Sequence, residues 1–156
     1  MRFDETPADD PDSLTLLAEY FEERANGFIG GGYTVARVDP AAFAHPAGAF
    51  VVAVDDDGGP IGCGGVKSIG ADESGRERFE VKHLYVRPSA RGTGAGRRLL
   101  EDLEQRAVRL GARRLVLDTN ASLIAAGSLY RRSGYVETAP YNDNPNATHW
   151  FSKDID

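Results

Sequence analysis

The stretch Arg91-Gly92-Thr93-Gly94-Ala95-Gly96-Arg97 decides how the chain is read. Three glycines alternate in it, a mainly apolar run over residues 79–86 precedes it, and a helical pattern follows from about Gly94. Without a Cβ, glycine lets a ligand approach the main chain, so several N–H groups can converge on one point. A helix that starts there adds its own free N–H groups and the positive end of its dipole. Arg91, Arg97 and Arg98 add full positive charge. This pattern predicts a cradle for a phosphate or pyrophosphate. A tight strand-to-helix turn that binds nothing is the alternative, and the arginines weigh against it.

The ligand class narrows by elimination. A Walker loop ends in Gly-Lys-Ser/Thr, whereas Gly96 is followed by Arg97 and Arg98. A dinucleotide fingerprint needs a third glycine where Arg97 stands. What remains is Arg-x-x-Gly-x-Gly on Arg91, Gly94 and Gly96, which resembles the acetyl-CoA pyrophosphate loop of the Gcn5-related N-acetyltransferase family. The run Glu80-Val81-Lys82-His83-Leu84-Tyr85-Val86-Arg87-Pro88 looks like that family's fourth strand. Leu129-Tyr130-Arg131-Arg132-Ser133-Gly134-Tyr135 looks like its later helix and next strand. The resemblance covers residues 50 to 155, fades before that, and is nearest the small-molecule-type branch.

Length and composition fit a single domain over residues 1–156, with 41% hydrophobic residues. No apolar run is long enough to span a membrane, and the acidic start is unlike a signal peptide, so a soluble cytoplasmic protein is expected. The single cysteine, Cys63, excludes an internal disulfide and reads as a buried, inert thiol. A net charge of −6 argues against nucleic-acid binding. Eight arginines against three acids within residues 87–114 nevertheless make a local basic patch suited to a small polyphosphate. No metal is expected: the acidic run Asp55-Asp56-Asp57 sits on a turn without ligand spacing, and His149 has no second ligand nearby.

Outward from the loop, Leu99, Leu100, Leu103, Ala107 and Leu110 recur at helical spacing, and Gly111 ends that helix. Leu115-Val116-Leu117 follows as a short strand, so a strand–helix–strand unit makes these two strands parallel. Residues 49–54 and 61–69 form a hairpin about the Asp55–Pro60 turn signal, with Gly62, Gly64 and Gly65 marking a bulge or close backbone approach. Asp12 or Ser13 caps a helix running to about Ala25; residues 2–6 suit an edge strand, residues 33–38 an extended run, and residues 40–44 a helical turn. Residues 122–132 read as helix, 135–138 and 149–153 as strands, and 139–146 as loop. Together these give an α+β fold: a mixed, mostly antiparallel sheet with helices on both faces. The resemblance adds a V-shaped splay between strands four and five.

The resemblance also assigns roles. Acetyl-CoA is the co-substrate, and a primary amine of a small molecule or peptide attacks it directly in a ternary complex. Backbone groups of Leu84, Tyr85 and Val86 pair with pantetheine; Arg91, Gly92, Thr93, Gly94, Ala95, Gly96 and Arg97 take the pyrophosphate. Tyr130 matches the tyrosine that protonates the departing thiolate, although its helix alone would make it a core aromatic. Asn120 matches a CoA-contacting position and equally suits a helix cap. A lysine-like amine is neutral in only about one molecule in two thousand at pH 7, so a base is useful. Glu80, eleven residues before Arg91 like the glutamate of the histone-acetylating branch, is the candidate, with His83 its competitor. Strict alternation puts Glu80, Lys82, Leu84 and Val86 on one face of the strand and Val81, His83 and Tyr85 on the other. The tail over residues 139–151 suits the acceptor side, or a closing strand that also packs a homodimer. A non-catalytic acyl-CoA sensor and a structural domain whose arginines pair with the acidic first helix are the rival readings.

Overall fold

The computed structural model describes residues 1–35 and 37–155. Seven strands form one sheet in the order β1-β2-β3-β4-β5-β7-β6. They are β1 (Arg2–Glu5), β2 (Gly48–Val54), β3 (Pro60–Ala71), β4 (Glu77–Val86), β5 (Arg114–Thr119), β6 (Val136–Thr138) and β7 (His149–Asp154). Only β4 and β5 are parallel, joined through α2 (Ala95–Arg109); every other pair is antiparallel. The other helices are α1 (Pro11–Asn26) and α3 (Ile124–Arg132). This is the expected α+β plan.

All seven residues of β2 are buried because both faces of the sheet are covered. Ala49, Val51 and Ala53 pack with Leu99, Leu100 and Leu103 of α2 and Tyr130 of α3. Phe50, Val52 and Val54 pack with Leu16 and Leu17 of α1. Burying one such leucine is worth about 1.5–3 kcal/mol, so the leucine stripe of α2 holds that helix to the sheet. The β3 glycines answer to close approach. A Cβ on Gly64 would stand 2.7 Å from Leu103 Cδ1, and one on Gly65 2.5 Å from the Phe43 ring.

Parallel pairing of β4 with β5 stops after Glu80↔Val116. Beyond it the two strands part, leaving the β5-facing edge of residues 81–86 without a partner strand. β5 goes on to pair with β7 through Thr119↔His149. This is the expected splay between strands four and five.

Several sequence expectations need correction. On β4, the span Cys63–Gly65 of β3 faces the longer span Lys82–Tyr85, a β-bulge with His83 at φ 58°. The extra residue breaks strict alternation. Val81, Leu84 and Val86 all join the α2 face, while His83 and Tyr85 pack toward α1. Helix α1 is capped by Asp10, not Asp12 or Ser13; Ser13 is buried and donates to Pro7 O at 2.8 Å. Helix α3 begins at Ile124, because Asn120 holds the preceding residues in a turn. The extended run expected over residues 33–38 contains Ala36, outside the described residues, and its described members form no strand; Asp156 is likewise outside.

Candidate active site

The glycine loop leaves open space over the main chain at the start of α2. Gly92 and Gly94 hold φ of 78° and 83°, a region that other residues adopt only with strain, and a Cβ on either would meet no protein atom within 4 Å. The space above them is open to a ligand. Gly94 is the N-cap of α2, and the first amide with an intrahelical acceptor is that of Arg98, on Gly94 O at 3.1 Å. The amides of Ala95, Gly96 and Arg97 therefore point out of the helix end unpaired. Thr93 Oγ1 turns back to donate to Ala90 O at 2.6 Å.

The arginines divide. Arg97 is mostly exposed and, among the described residues, pairs only with Glu101 one turn on, at 3.0 Å, a contact worth a few tenths of a kcal/mol that a pyrophosphate can displace. Arg91 is committed to the protein: it donates to Val86 O at 2.9 Å and to both Glu23 oxygens at 2.7 Å. It braces the loop against α1. Arg98 lies over the Phe3 ring instead.

From this loop a cleft of about 970 Å³ runs between the splayed strands to a chamber under α1. Leu84, Tyr85 and Val86 line its β4 wall and Tyr130 its α3 wall. The Val86 carbonyl is engaged by Arg91, which leaves the free edge at the bulge above it.

Tyr130 is 8% exposed, with its ring against Tyr135 and Phe151. It makes no hydrogen bond among the described residues, yet no fully buried polar atom there lacks a partner, so its hydroxyl opens onto the cleft. Burial pushes its pKa up to about 12, which keeps the proton in place. His83 also lines the cleft. Its ring packs against Tyr20, Phe21 and Phe43 at 5.7, 5.3 and 5.9 Å. Burial, aided by Lys82 and Lys67, lowers its pKa to about 3, so it is a neutral imidazole at pH 7.

Glu80 is 4% exposed and is not on the cleft wall. Tyr141 Oη donates to it at 2.6 Å and Asn142 Nδ2 at 3.3 Å. The same amide donates to Asp118 at 2.7 Å, and Lys82 lies 3.1 Å from Asp118 and 3.6 Å from Glu80. Asp118 and Lys82 are the members of this network that reach the cleft. Burial raises the Asp118 pKa, but Lys82 and the amides outweigh it and hold the group below the usual value. Asn120 serves the fold: its Oδ1 accepts from Ser122 N and Oγ at 2.9 and 2.8 Å, and its Nδ2 donates to Asn146 O.

The tail over residues 139–151, expected on the acceptor side, supplies Asn144, Pro145 and Asn146 to the cleft wall, but sequence reasoning missed the contribution of α1 and the loop after it. Tyr20, Phe21 and Arg24 come from α1, Tyr33 and Thr34 from the following loop, and Asn146 from the far end of the chain. Asn146 clasps Thr34 through both backbone groups, at 3.1 and 2.6 Å, across 112 residues of sequence. No local signal announces such a pair. Cys63 is buried, with its thiol pushed up to about 12, and takes no part in the cleft wall. Among the described residues, no group of three His, Cys, Asp or Glu side chains could hold a metal ion.

Comparison with known proteins agrees with this geometry. The Acetyltransferase (GNAT) family matches residues 9–135. An uncharacterised N-acetyltransferase of Schizosaccharomyces pombe is 34% identical over 145 residues, covering 89% of this chain and 83% of the relative. An IAA acetyltransferase of Azospirillum brasilense is 36% identical over 104 residues, 67% of this chain and 65% of its own. A GNAT-family acetyltransferase of Staphylococcus aureus superposes with a TM-score of 0.76 at 16% identity, covering 99% of both chains. A phosphinothricin acetyltransferase of Sinorhizobium meliloti in complex with AcCoA gives 0.66 at 20% identity, over 99% of this chain and 88% of that one. With its glycine cradle, splayed strands and cleft, the chain belongs to the GNAT family of N-acetyltransferases.

Proposed function

We propose that the protein transfers an acetyl group from acetyl-CoA to a primary amine of a small molecule or peptide, by direct attack with both substrates bound. The observation that carries this reading is the continuity of the cleft from the glycine cradle to the chamber under α1, which gives the two substrates adjoining places. Acetyl-CoA fits the residues present. The amides of residues 95–97 and the Arg97 guanidinium take the pyrophosphate, and the free β4 edge at Leu84 and Tyr85, below the Val86 carbonyl that Arg91 engages, receives the pantetheine amides as an added strand would. The co-substrate supplies the activated thioester. A thiol held at a pKa of about 12 and away from the cleft is a poor nucleophile, which favours direct attack over an acetyl-cysteine intermediate.

Tyr130 donates a hydrogen bond to the departing thiolate, which takes its proton from solvent in the cleft. Glu80 is given a positioning role, fixing Lys82 and Asp118 from behind, and the amine proton leaves through solvent in the cleft. Glu80→Gln is then expected to lower kcat while leaving the acidic limb of the pH–rate profile in place. Loss of that limb with a ~10²–10⁴-fold drop would make Glu80 the base. The reading as a whole is tested by mixing protein, acetyl-CoA and a panel of amines and following free thiol and acetylated product. Tight CoA binding with no product from any amine would favour the sensor reading.

A further inference from the structure

The chamber carries a cation that the chemistry above does not use. Arg24, in the last turn of α1, places its guanidinium carbon 6.0 Å from the Tyr20 ring centre and 5.7 Å from that of Tyr33. The other basic side chains on the cleft wall are already held. Lys82 has Asp118 at 3.1 Å, Arg91 has Glu23 at 2.7 Å, Arg97 has Glu101 at 3.0 Å, and Arg132 donates to Ser128 O at 3.3 Å. Among the described residues Arg24 has no carboxylate within 4.0 Å and donates no hydrogen bond. Stacking on rings leaves all five N–H donors of a guanidinium for another acceptor.

The place is built rather than incidental. A helix C-terminus favours a cation, but that does not require a position between two tyrosines over a cleft. Tyr33 is set by Phe28, with ring centres 5.6 Å apart, and its neighbour Thr34 by the Asn146 clasp. Two carboxylates stand on the cleft wall, Glu23 and Asp118. Glu23 is tied to Arg91 and Asp118 to Lys82, so neither neutralises Arg24. Arg24, Asp118 and Tyr130 all line this one cleft.

We propose that Arg24 binds an anionic group on the acceptor, so that the substrates are amines that also carry a carboxylate or a phosphoryl group. Tyr20, Phe21 and Tyr33 pack the carbon skeleton between the two ends, and the amine is presented on the Asp118 side. This rests on the acetyl-transfer reading, and its test has an arm that does not.

The experiment compares matched pairs that differ only in the anion: L-phenylalanine with phenethylamine, and O-phosphoethanolamine with ethanolamine. Thiol release is measured for wild type, Arg24→Ala and Arg24→Lys. Alanine suits a half-buried helical position, so the fold should persist. The expected result is a kcat/KM at least about 10-fold higher for the anionic member of a pair. Arg24→Ala lowers that member alone by about 10- to 100-fold, and Arg24→Lys falls between. Equal rates within both pairs, an equal loss for both members, or a loss of CoA affinity in Arg24→Ala would overturn the proposal. In the second arm, N-acetyl-L-phenylalanine and N-acetylphenethylamine are titrated calorimetrically into the CoA-saturated protein. If no amine yields thiol, the transfer reading fails. Preferential, Arg24-dependent binding of the acid would still support the anion site, and no binding or equal binding would overturn it.

Discussion

At the scale of single residues, the proposed chemistry turns on a tyrosine that holds its proton tightly. Tyr130, near pKa 12, is a weaker acid than a free phenol, so in the proposed transfer it stabilises the thiolate by hydrogen bonding as the C–S bond breaks rather than by driving full transfer. Tyr130→Phe keeps the ring against Tyr135 and Phe151 and removes only the hydroxyl. A loss of about 10–10³-fold in kcat is expected, with little change in CoA affinity or unfolding midpoint. An unchanged kcat would make Tyr130 a packing residue. His83 gives a prediction of different kind. The unfolded chain binds its proton near pH 6.5 and the folded chain only near 3, so folding is favoured above 6.5 and loses about 1.4 kcal/mol per pH unit as pH falls between those values. Asn tolerates the positive φ at this site. His83→Asn should therefore show a shallower fall in urea-measured stability from pH 6 to 4, and curves parallel to wild type would refute the burial argument. The motif around Tyr130 makes that residue legible in sequence. Nothing local marks Arg24 or Asp118, whose partners lie on other elements, and a histidine rarely announces a left-handed backbone.

At the scale of elements, the bulge in β4 and the start of α2 do the positioning. The bulge between Lys82 and Tyr85 interrupts the alternation, which is why period-two reading separated Val81 from Leu84 and Val86. The glycine pattern, by contrast, located the α2 terminus to within one residue, because positive φ at Gly92 and Gly94 is a requirement only glycine meets cheaply. Helix starts at α1 and α3 were displaced by neighbouring side chains, Asp10 and Asn120, that compete for the same amides. Gly96 separates ligand blockage from backbone strain. It lies inside α2 without positive φ, and a Cβ there meets Leu129 and Val86 at an ordinary 3.7 and 3.8 Å. Gly96→Val should fold normally while its methyl groups narrow the cleft between α2, β4 and α3, weakening CoA binding by about 10-fold or more. Unaltered CoA affinity in a folded Gly96→Val protein would place the pantetheine elsewhere. Gly94→Val should add a stability loss, because φ of 83° strains a β-branched residue.

At the scale of the molecule, the splay of β4 from β5 makes a cleft, and α1 with the loops clasped by Asn146 closes its far end. Strand and helix types, the parallel pair and the two-faced core were all legible, since each follows from periodicity and from the length of the β4–α2–β5 connection. The splay was legible only through resemblance, because hydrophobic pattern is the same in paired and parted strands. Of the chamber only the tail side, residues 144–146, was legible; its α1 side was not, because the two are joined across more than a hundred residues. The central claim is that both substrates occupy this one cleft together and react directly. Initial rates of thiol release over a grid of acetyl-CoA and amine concentrations test it. Double-reciprocal lines that intersect are the predicted result; parallel lines, the signature of an acetyl-enzyme intermediate, would contradict it.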